Sequence, residues 1–249
     1  MSPSPQLDLD GKTALVTGGG TGIGLAAACA LASAGCRTVI AARRDEVLRQ
    51  AAGSFDGAAP LLHHVVDVAD RASVDTLFAW TAEQLGPIDI LVNSSGINLK
   101  TRSMAAMAPQ DWDRVLAVNA SGAYNLMHAV LPQMRKNGGG LIVHINSIAG
   151  VHIAAIAGVA YTASKFALTG LVGAVAGEEA AHGIRITSIC PGEVNTPLLD
   201  ERPQPVGAEH RAQILQPEDV GAMILAVARL PARAHIPELI IKPLSQRLD

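Results

Sequence analysis

Cysteine is scarce in this chain of 249 residues, and charged residues are few. The three cysteines, Cys29, Cys36 and Cys190, form neither a CxxC pair nor a metal-ligand spacing. An odd cysteine count without a disulfide framework is typical of a reducing compartment, so we expect a cytoplasmic protein with no metal site. Charged residues make up 16% and apolar residues 49%, which excludes a disordered chain and permits a large core.

Long basic runs and long apolar runs are also missing. The net charge is -3 and the pI is about 6.2, so nucleic acid is not an expected partner. No apolar run reaches the roughly 20 residues needed to cross a bilayer, so no membrane partner is expected. The first residues, MSPSPQLDLDGK, hold acids and prolines where a secretory signal has basic and then apolar residues. We therefore expect a soluble protein.

Short β-branched runs alternate along the chain with longer, alanine-rich helical patterns. Continuous apolar strands separated by helices predict a Rossmann-type, doubly wound α/β fold, a parallel sheet of about seven strands with helices on both faces. No linker, charge block or repeat divides the chain, so we interpret 1–249 as a single domain, with a short substrate loop near 197–215. The predicted strands are 12–17, 38–42, 61–66, 88–93, 141–146, 184–189 and 238–242, and the predicted helices 22–33, 73–85, 111–135, 159–181 and 217–229.

A glycine-rich segment, TGGGTGIG at 17–24, follows the first predicted strand and opens the first predicted helix. Its glycines let the backbone turn sharply and approach a ligand, while the helix N-terminus offers free N–H groups to a pyrophosphate. This strand–loop–helix context favours dinucleotide binding over a simple tight turn. The candidate cofactor-binding residues of this segment are Gly18, Gly20, Thr21, Gly22, Ile23 and Gly24.

The end of the second predicted strand distinguishes NAD from NADP. An acidic residue there binds the ribose 2′-hydroxyl of NAD, whereas arginine accepts the 2′-phosphate of NADP. This chain has Ala42 where an acid would lie, followed by Arg43 and Arg44. We therefore predict NADP as the cofactor, with NAD as the other candidate because Asp45 is close by. The alternative is that both arginines are simply solvated at a helix start.

Two aspartates follow the third predicted strand, at Asp67 and Asp70. Asp67, with Val68 beside it, is a candidate to accept a hydrogen bond from the adenine amino group. Asp70 is interpreted as the N-cap of the next helix.

One of only two tyrosines, Tyr161, lies four residues before Lys165 in a predicted helix. That spacing puts the phenol and the ammonium on one face, about one turn apart. Lowering the phenol pKa from about 10 to about 7 requires about 4 kcal/mol, more than one exposed lysine supplies. A partly desolvated lysine with a second cation beside it would be sufficient. The alternative is an ordinary amphipathic helix with a core tyrosine.

Six motifs in this order resemble those of the short-chain dehydrogenase/reductase family. The matching segments are TGGGTGIG, NSSG at 93–96, VN at 118–119, INS at 145–147, YTASK at 161–165 and CPGEVNTP at 190–197. The resemblance implies hydride transfer between a nicotinamide cofactor and a small-molecule alcohol or carbonyl substrate. It also implies a catalytic set of Asn119, Ser147, Tyr161 and Lys165.

The resemblance assigns a role to each of these residues. Tyr161 is the general acid in carbonyl reduction and the base in alcohol oxidation. Lys165 binds the nicotinamide ribose and, with the charge of the oxidised ring, lowers the tyrosine pKa. Ser147 holds the substrate oxygen, and Asn119 positions a water for proton relay. The other implied cofactor contacts are Asn93, Ser94 and Gly96 after the fourth strand, and Pro191, Gly192, Val194 and Thr196 after the sixth.

Three features depart from the family pattern. Ser94 and Ser95 replace an asparagine and an alanine, and the interval from Ser147 to Tyr161 is often one residue shorter in relatives. The C-terminal segment resembles the branch that contains 3-hydroxy acid (serine-type) dehydrogenases. These departures change the expected shape of the substrate pocket and weaken the case for a 3-oxoacyl-carrier-protein reductase.

The substrate is expected to be a small or medium secondary alcohol or ketone with an apolar body, because the pocket candidates Ile148, Ile153 and Ile156 are aliphatic. From the sequence we expect no basic cluster near Glu193, which counts against an acid substrate. We interpret His144 as a satisfied core residue and leave His152 and Glu193 between solvent and the pocket.

Small residues recur at helical spacing beyond Lys165, at Ala163, Ala167, Gly170, Ala174 and Gly177. Such a stripe lets a second helix approach closely, and the family resemblance implies a homodimer or homotetramer. The alternative is packing against the chain's own sheet.

Two other functions compete with the enzyme. A catalytically silent NADP-binding regulator would keep the fold but needs only the glycine loop, so the complete set of four catalytic residues argues against it. A non-redox relative, such as a dehalogenase, would lose both the glycine loop and the lysine, and this chain retains them.

Overall fold

A parallel sheet of seven strands forms the centre of the computed structural model, which describes residues 9–153 and 155–247. The strand order is β3-β2-β1-β4-β5-β6-β7, and every neighbouring pair is parallel. The strands are β1 (Thr13–Thr17), β2 (Arg37–Ala42), β3 (Leu62–Val65), β4 (Ile90–Asn93), β5 (Gly140–Ile145), β6 (Ile184–Pro191) and β7 (Glu238–Ile241).

Helices cover both faces of the sheet because successive strand residues point to opposite sides. In β1, Val16 packs into one apolar core with helix residues such as Leu31, while Leu15 packs into the other with residues such as Leu126 and Leu168. This arrangement confirms the doubly wound fold. The helices are α1 (Gly22–Ser33), α2 (Asp45–Ser54), α3 (Arg71–Leu85), α4 (Pro109–Leu116), α5 (Gly122–Lys136), α6 (Val159–Glu179), α7 (Ala208–Gln213) and α8 (Pro217–Ala228).

The strand order reverses between β1 and β4, which pair in register from Ala14 with Ile90 to Thr17 with Asn93. In open α/β sheets, a crevice forms at the carboxyl ends of the strands beside such a switch point, and ligands bind there. The topology therefore places the glycine loop after β1 and the NSSG segment after β4 side by side.

Three helical features differ from the sequence-based expectations. The long helix expected over 111–135 is divided by a π-helical turn at Ala117–Ser121, which carries Asn119. The loop expected near 197–215 contains a 3₁₀ turn, Pro197–Glu201, and the short helix α7. Helix α2 forms where no bounds were predicted. Asp70 caps α3 as expected, since its carboxylate accepts a 3.0 Å hydrogen bond from Ala72 N.

Helix α6 and the turn after it correct the expectation that no apolar segment is long enough to cross a bilayer. The segment Val159–His182 is long and apolar enough to cross a membrane by length and composition. A core helix of a soluble protein passes the same test, and α6 packs against the sheet through Leu168 and Val172. The helix is therefore weak evidence for a membrane-spanning segment.

Candidate active site

The glycine loop folds so tightly that side chains are excluded from it. Gly18 has a φ of +68°, and a Cβ there would lie 2.6 Å from the backbone carbonyl carbon of Ser94. A Cβ on Gly24 would lie 2.2 Å from the carbonyl oxygen of Gly18. Thr21, the N-cap of α1, makes no side-chain capping bond, so the first N–H groups of the helix remain available to an anion. This backbone cradle fits the pyrophosphate of a dinucleotide.

A cavity of about 640 Å³ opens at the carboxyl ends of the strands, next to this loop. Its volume suits a cofactor together with a small substrate. Most of the residues predicted from the sequence line it, namely Gly18, Gly20, Thr21, Gly22, Ile23, Arg43, Arg44, Asp67, Val68, Ser94, Gly96, Ser147, Tyr161, Lys165, Pro191, Gly192, Val194 and Thr196.

Three predicted residues, Gly24, Asn93 and Asn119, lie behind the cavity wall and support it. The Asn93 carboxamide oxygen accepts hydrogen bonds from Thr17 Oγ1 (3.0 Å) and Ser95 N (3.1 Å), which ties the ends of β1 and β4 together. These bonds fix the strand ends that carry the cavity lining.

The side chain of Asn119 forms hydrogen bonds to other residues of the protein. Its amide nitrogen donates to Ile97 O (2.9 Å) and to Ser164 Oγ (3.0 Å), while its oxygen accepts from Ile97 N (2.8 Å). Both amide hydrogens are therefore engaged, and the side chain connects the segment after β4 to α6. The predicted role of Asn119 in water-mediated proton relay stays a prediction.

The buried side chain of His144 is only half satisfied, which corrects the expectation of a fully satisfied core residue. Its Nδ1 lies 3.2 Å from Asn93 Nδ2, an amide donor, so the remaining ring proton belongs on Nε2. Within the described residues Nε2 has no hydrogen-bond partner. Burial, with the positive charge of Lys165, lowers the pKa of His144 to about 3, so the ring is neutral.

Ser147, Tyr161 and Lys165 meet on one wall of the cavity. Ser147 follows β5 and caps a 3₁₀ turn by accepting a 3.1 Å hydrogen bond from Ala149 N. Tyr161 and Lys165 lie one turn apart on α6, with Lys165 Nζ 5.5 Å from the centre of the tyrosine ring. Lys165 Nζ also donates a 2.8 Å hydrogen bond to Ile145 O.

The two titratable groups on α6 are shifted by burial. The pKa of Tyr161 is raised because burial disfavours the charged phenolate. Ser147 and the positive charge of Arg102 each lower this pKa, but by less. Burial also lowers the pKa of Lys165 from 10.5 to about 8. In the protein alone burial therefore outweighs the positive charge of Arg102, a cation near the phenol that the sequence does not indicate.

Lys165→Met is expected to make the cofactor-free protein more stable near pH 7, by roughly 1–2 kcal/mol, because it removes a buried ammonium. Between about pH 8 and 10.5 the unfolded chain keeps a proton that the folded protein has released, so wild-type stability rises with pH. The advantage of the variant should shrink across that interval.

Urea denaturation of both proteins at several pH values would measure this difference. Lys100→Met, which removes an exposed lysine outside the cavity lining, is the control. A wild-type protein that is more stable than the Lys165 variant at pH 7 would contradict the assigned burial cost.

The end of the cavity next to β2 carries two exposed arginines and, among the described residues, no acidic residue at the strand end. Arg43 and Arg44 line the cavity and, among the described residues, make no ion pair. Asp45 lies outside the lining, paired with Arg49 at 2.5 Å. Asp67 lines the cavity, and its Oδ1 accepts a 3.0 Å hydrogen bond from Ala69 N.

The opposite end of the cavity matches the predicted apolar pocket only in part. Ile148 and Ile156 line the cavity as expected. Ile153 is 82% exposed and lies outside the lining, so its assignment to the pocket is wrong. His152, for which the sequence allows either solvent or the pocket, is also exposed and outside the lining.

Glu193 lies at the cavity wall within a basic cluster, which corrects the expectation of no basic cluster near it. Arg202 Nη2 donates to its carboxylate at 2.6 Å, and His210 Nε2 lies 2.5 Å from its other oxygen. Burial favours a higher pKa for Glu193, but the bonds to Arg202 and His210 outweigh it and lower that pKa. Because these partners come from the segment 197–213, their proximity is not visible in the sequence.

Arg102 and Gln246 also line the cavity, although the sequence does not orient their side chains. Arg102 reaches the cavity from the loop between β4 and α4. Gln246 reaches it from the C-terminal segment, where its side-chain oxygen accepts a 3.0 Å hydrogen bond from Glu193 N. Both lie on irregular segments, where neither periodicity nor a motif orients a side chain.

A family model described as "short chain dehydrogenase" matches residues 12–206 of this chain. Glycine betaine reductase ATRR of Emericella nidulans is 36% identical over 249 residues, covering 98% of this chain, although the chain spans only 19% of that protein. D-beta-hydroxybutyrate dehydrogenase of Rhizobium meliloti is 37% identical over 77% of this chain and 74% of its own length. Among solved structures, the closed form of a serine dehydrogenase complexed with NADP⁺ has a TM-score of 0.86 at 27% identity, covering 94% of this chain and 96% of its own.

Proposed function

Since the chain belongs to the short-chain dehydrogenase/reductase family of oxidoreductases, we propose that it interconverts a secondary alcohol and a ketone with NADP(H). The observation that carries this proposal is the convergence of Ser147, Tyr161 and Lys165 on the wall of a cavity that also contains the glycine loop. A cavity that holds a dinucleotide cradle and a phenol with an ammonium 5.5 Å from its ring has the groups needed for proton-coupled hydride transfer.

In this proposal the bound dinucleotide supplies or accepts the hydride, and the side chains of the protein move the proton. During carbonyl reduction, the Tyr161 hydroxyl donates its proton to the substrate oxygen. Ser147 donates a hydrogen bond that stabilises negative charge, and it already lowers the phenol pKa. The ammonium of Lys165, fixed by its bond to Ile145 O, stabilises the phenolate that remains.

The proposal is tested by following the absorbance of NADPH and NADH across a panel of carbonyl compounds. The panel holds 3-oxo acids, 3-oxoacyl thioesters, diketones, cyclic ketones and aldehydes. Turnover of any of them supports the reductase. NADPH binding without turnover of any compound would support a regulatory protein of the same fold instead, and failure to bind either cofactor would overturn the proposal.

The preference for NADP rests on the arginines after β2. Arg43→Asp is expected to weaken NADPH binding by at least about tenfold, since it replaces a phosphate partner with a like charge. NADH binding should stay unchanged or improve, because a carboxylate there accepts a ribose hydroxyl. The support for this proposal is that Arg43 faces the cavity while Asp45 is engaged with Arg49.

Fluorescence titration with both cofactors would measure the change. Arg233→Asp alters the net charge equally at an exposed position outside the cavity lining and serves as the control. Equal NADPH affinity in the Arg43 variant and the native protein would contradict the assignment of Arg43 to the 2′-phosphate.

We also propose that two copies of the chain associate through the outer face of α6. Gly170, Ala174 and Gly177 are exposed there, and a Cβ on either glycine would meet nothing within 4 Å, so this face does not pack on its own sheet. Phe166, on the same helix, is 40% exposed. Light scattering at micromolar concentration should give at least a dimer, and Ala174→Arg should shift it to a monomer. A monomeric native protein would contradict the association.

The cysteines support a proposed location in the reducing cytoplasm. Cys29, Cys36 and Cys190 are free thiols, and burial raises the pKa of each. Thiols protected in this way need no oxidising compartment.

A further inference from the structure

Arg102 is held by three backbone carbonyl groups from three different segments. Its Nε donates to Leu99 O at 2.8 Å, its Nη1 to Ile156 O at 2.8 Å and its Nη2 to Glu201 O at 2.5 Å. These acceptors belong to the loop after β4, the segment before α6 and the 3₁₀ turn after β6. The guanidinium plane is therefore fixed before any substrate enters.

The charge of Arg102 has no carboxylate partner within the described part of the chain. Arg202, which lines the same cavity, is neutralised by its 2.6 Å ion pair with Glu193. Burial lowers the pKa of Arg102, the charge of Arg202 lowers it further, and Tyr161 and Glu201 raise it. A half-buried guanidinium bonded only to neutral carbonyls is costly unless an anion approaches it.

The position of Arg102 is tied to the helix that carries Tyr161. Val159 N, in the first turn of α6, donates a 3.1 Å hydrogen bond to Arg102 O. Gly158, with a φ of +83°, lies so close that a Cβ there would be 2.4 Å from Arg102 Cβ. The guanidinium thus lies at the substrate end of the cavity, on the same wall as Tyr161.

Three of the five N–H groups of the guanidinium are used by the carbonyls, which leaves one hydrogen on Nη1 and one on Nη2. Arginine binds carboxylates through such N–H groups with charge-assisted hydrogen bonds. Aliphatic side chains complete this end of the cavity, among them Leu99, Ile148 and Leu198. A substrate with an anionic group and a short apolar body would match both features.

We propose that Arg102 is the binding site for a carboxylate on the substrate, so that the enzyme acts on oxo acids and hydroxy acids. This inference rests on the proposed oxidoreductase function and names its substrate class. It replaces the expectation from sequence that a basic group for an acid substrate is absent.

The test compares matched pairs of substrates that differ only in charge: 2-oxo and 3-oxo acids against their primary amides and methyl esters. The native enzyme should favour the acid in kcat/KM by about 30- to 100-fold, the usual range for a hydrogen-bonded charge. Arg102→Met should reduce that ratio to about 1, mainly through a higher KM for the acid, whereas any change in kcat caused by loss of its charge beside Tyr161 should be the same for acid and amide.

Lys100→Met is the matched control, because it removes a positive charge from the same loop at an exposed position outside the cavity lining. Its acid-to-amide ratio should equal that of the native enzyme. Arg102→Gln provides a second neutral variant that retains donors for the carbonyls, should Arg102→Met fail to fold. Arg102→Lys, which keeps the charge, should retain part of the preference.

Two results would overturn the inference while leaving the proposed function in place. One is native turnover of neutral ketones in preference to acids. The other is an equal loss of acid and amide turnover in both neutral variants, which would mean that Arg102 only holds the three segments together. Absence of turnover for acids, amides and esters alike, with no consumption of either cofactor on the wider carbonyl panel, would instead overturn the proposed function.

Discussion

Tyr161→Phe is expected to lower kcat by about 10³-fold or more while the protein still binds NADPH with nearly native affinity. The substitution removes the only phenol that lines the described cavity and leaves the ring in place. General acid–base catalysis contributes about 10²- to 10⁴-fold, and in the proposed reaction the same hydroxyl also donates the hydrogen bond that holds the substrate oxygen. Both contributions are lost together, whereas the glycine loop is unchanged.

Single-turnover reduction of the best substrate, with parallel NADPH titration, would measure the two quantities separately. Tyr124→Phe is the matched control, since Tyr124 is the chain's other tyrosine and stacks on His128 outside this cavity. It should keep native activity. If Tyr161→Phe turned over at the native rate, another group would have to supply the proton and the proposed mechanism would be wrong.

Gly24→Ala is expected to weaken binding of either cofactor by at least about 100-fold and to destabilise the protein by about 1–3 kcal/mol. The new methyl group would lie 2.2 Å from Gly18 O and 2.7 Å from Gly18 C. Both are backbone atoms, so the conflict is relieved only if α1 moves away from the loop. That movement opens the cradle that the pyrophosphate would occupy.

Calorimetric titration with NADPH and thermal unfolding would measure both effects. Gly53→Ala is the control, because Gly53 lies in α2 and a Cβ there meets nothing within 4 Å. It should raise the free energy of unfolding by about 0.5–1 kcal/mol through the helix propensity of alanine, with cofactor affinity unchanged. A Gly24 variant with native affinity would mean that the loop tolerates a side chain and is not the cradle.

The strands could be predicted from the sequence because they depend on local patterns. A buried parallel strand reads as an apolar run, and all seven predicted runs form strands within two residues of the predicted bounds. Helix α6 and the one-turn spacing of Tyr161 and Lys165 follow in the same way from helical geometry. The glycine loop adds a steric requirement, because a Cβ on Gly18 or Gly24 would lie less than 3 Å from backbone atoms.

The helical details that were missed have a physical explanation. The π-helical turn at Ala117–Ser121 inserts an extra residue into a helix whose apolar pattern continues on both sides, so periodicity alone predicts one long helix. Helix α7, at Ala208–Gln213, has no buried residues, and so its sequence carries no amphipathic signal.

The sequence by itself determined the fold class, through the alternation of strands and helices, and the one-turn spacing of Tyr161 and Lys165, because both depend on local patterns along the chain. Only the tertiary structure decided the charges at the substrate end. Arg102, Glu193 and Arg202 come from separate irregular segments. Their proximity depends on how the loop after β4 packs against the segment after β6. As a result, Arg102 donates hydrogen bonds to backbone carbonyls, whereas Arg202 forms an ion pair with Glu193. Both contacts depend on long-range packing, which no local pattern encodes.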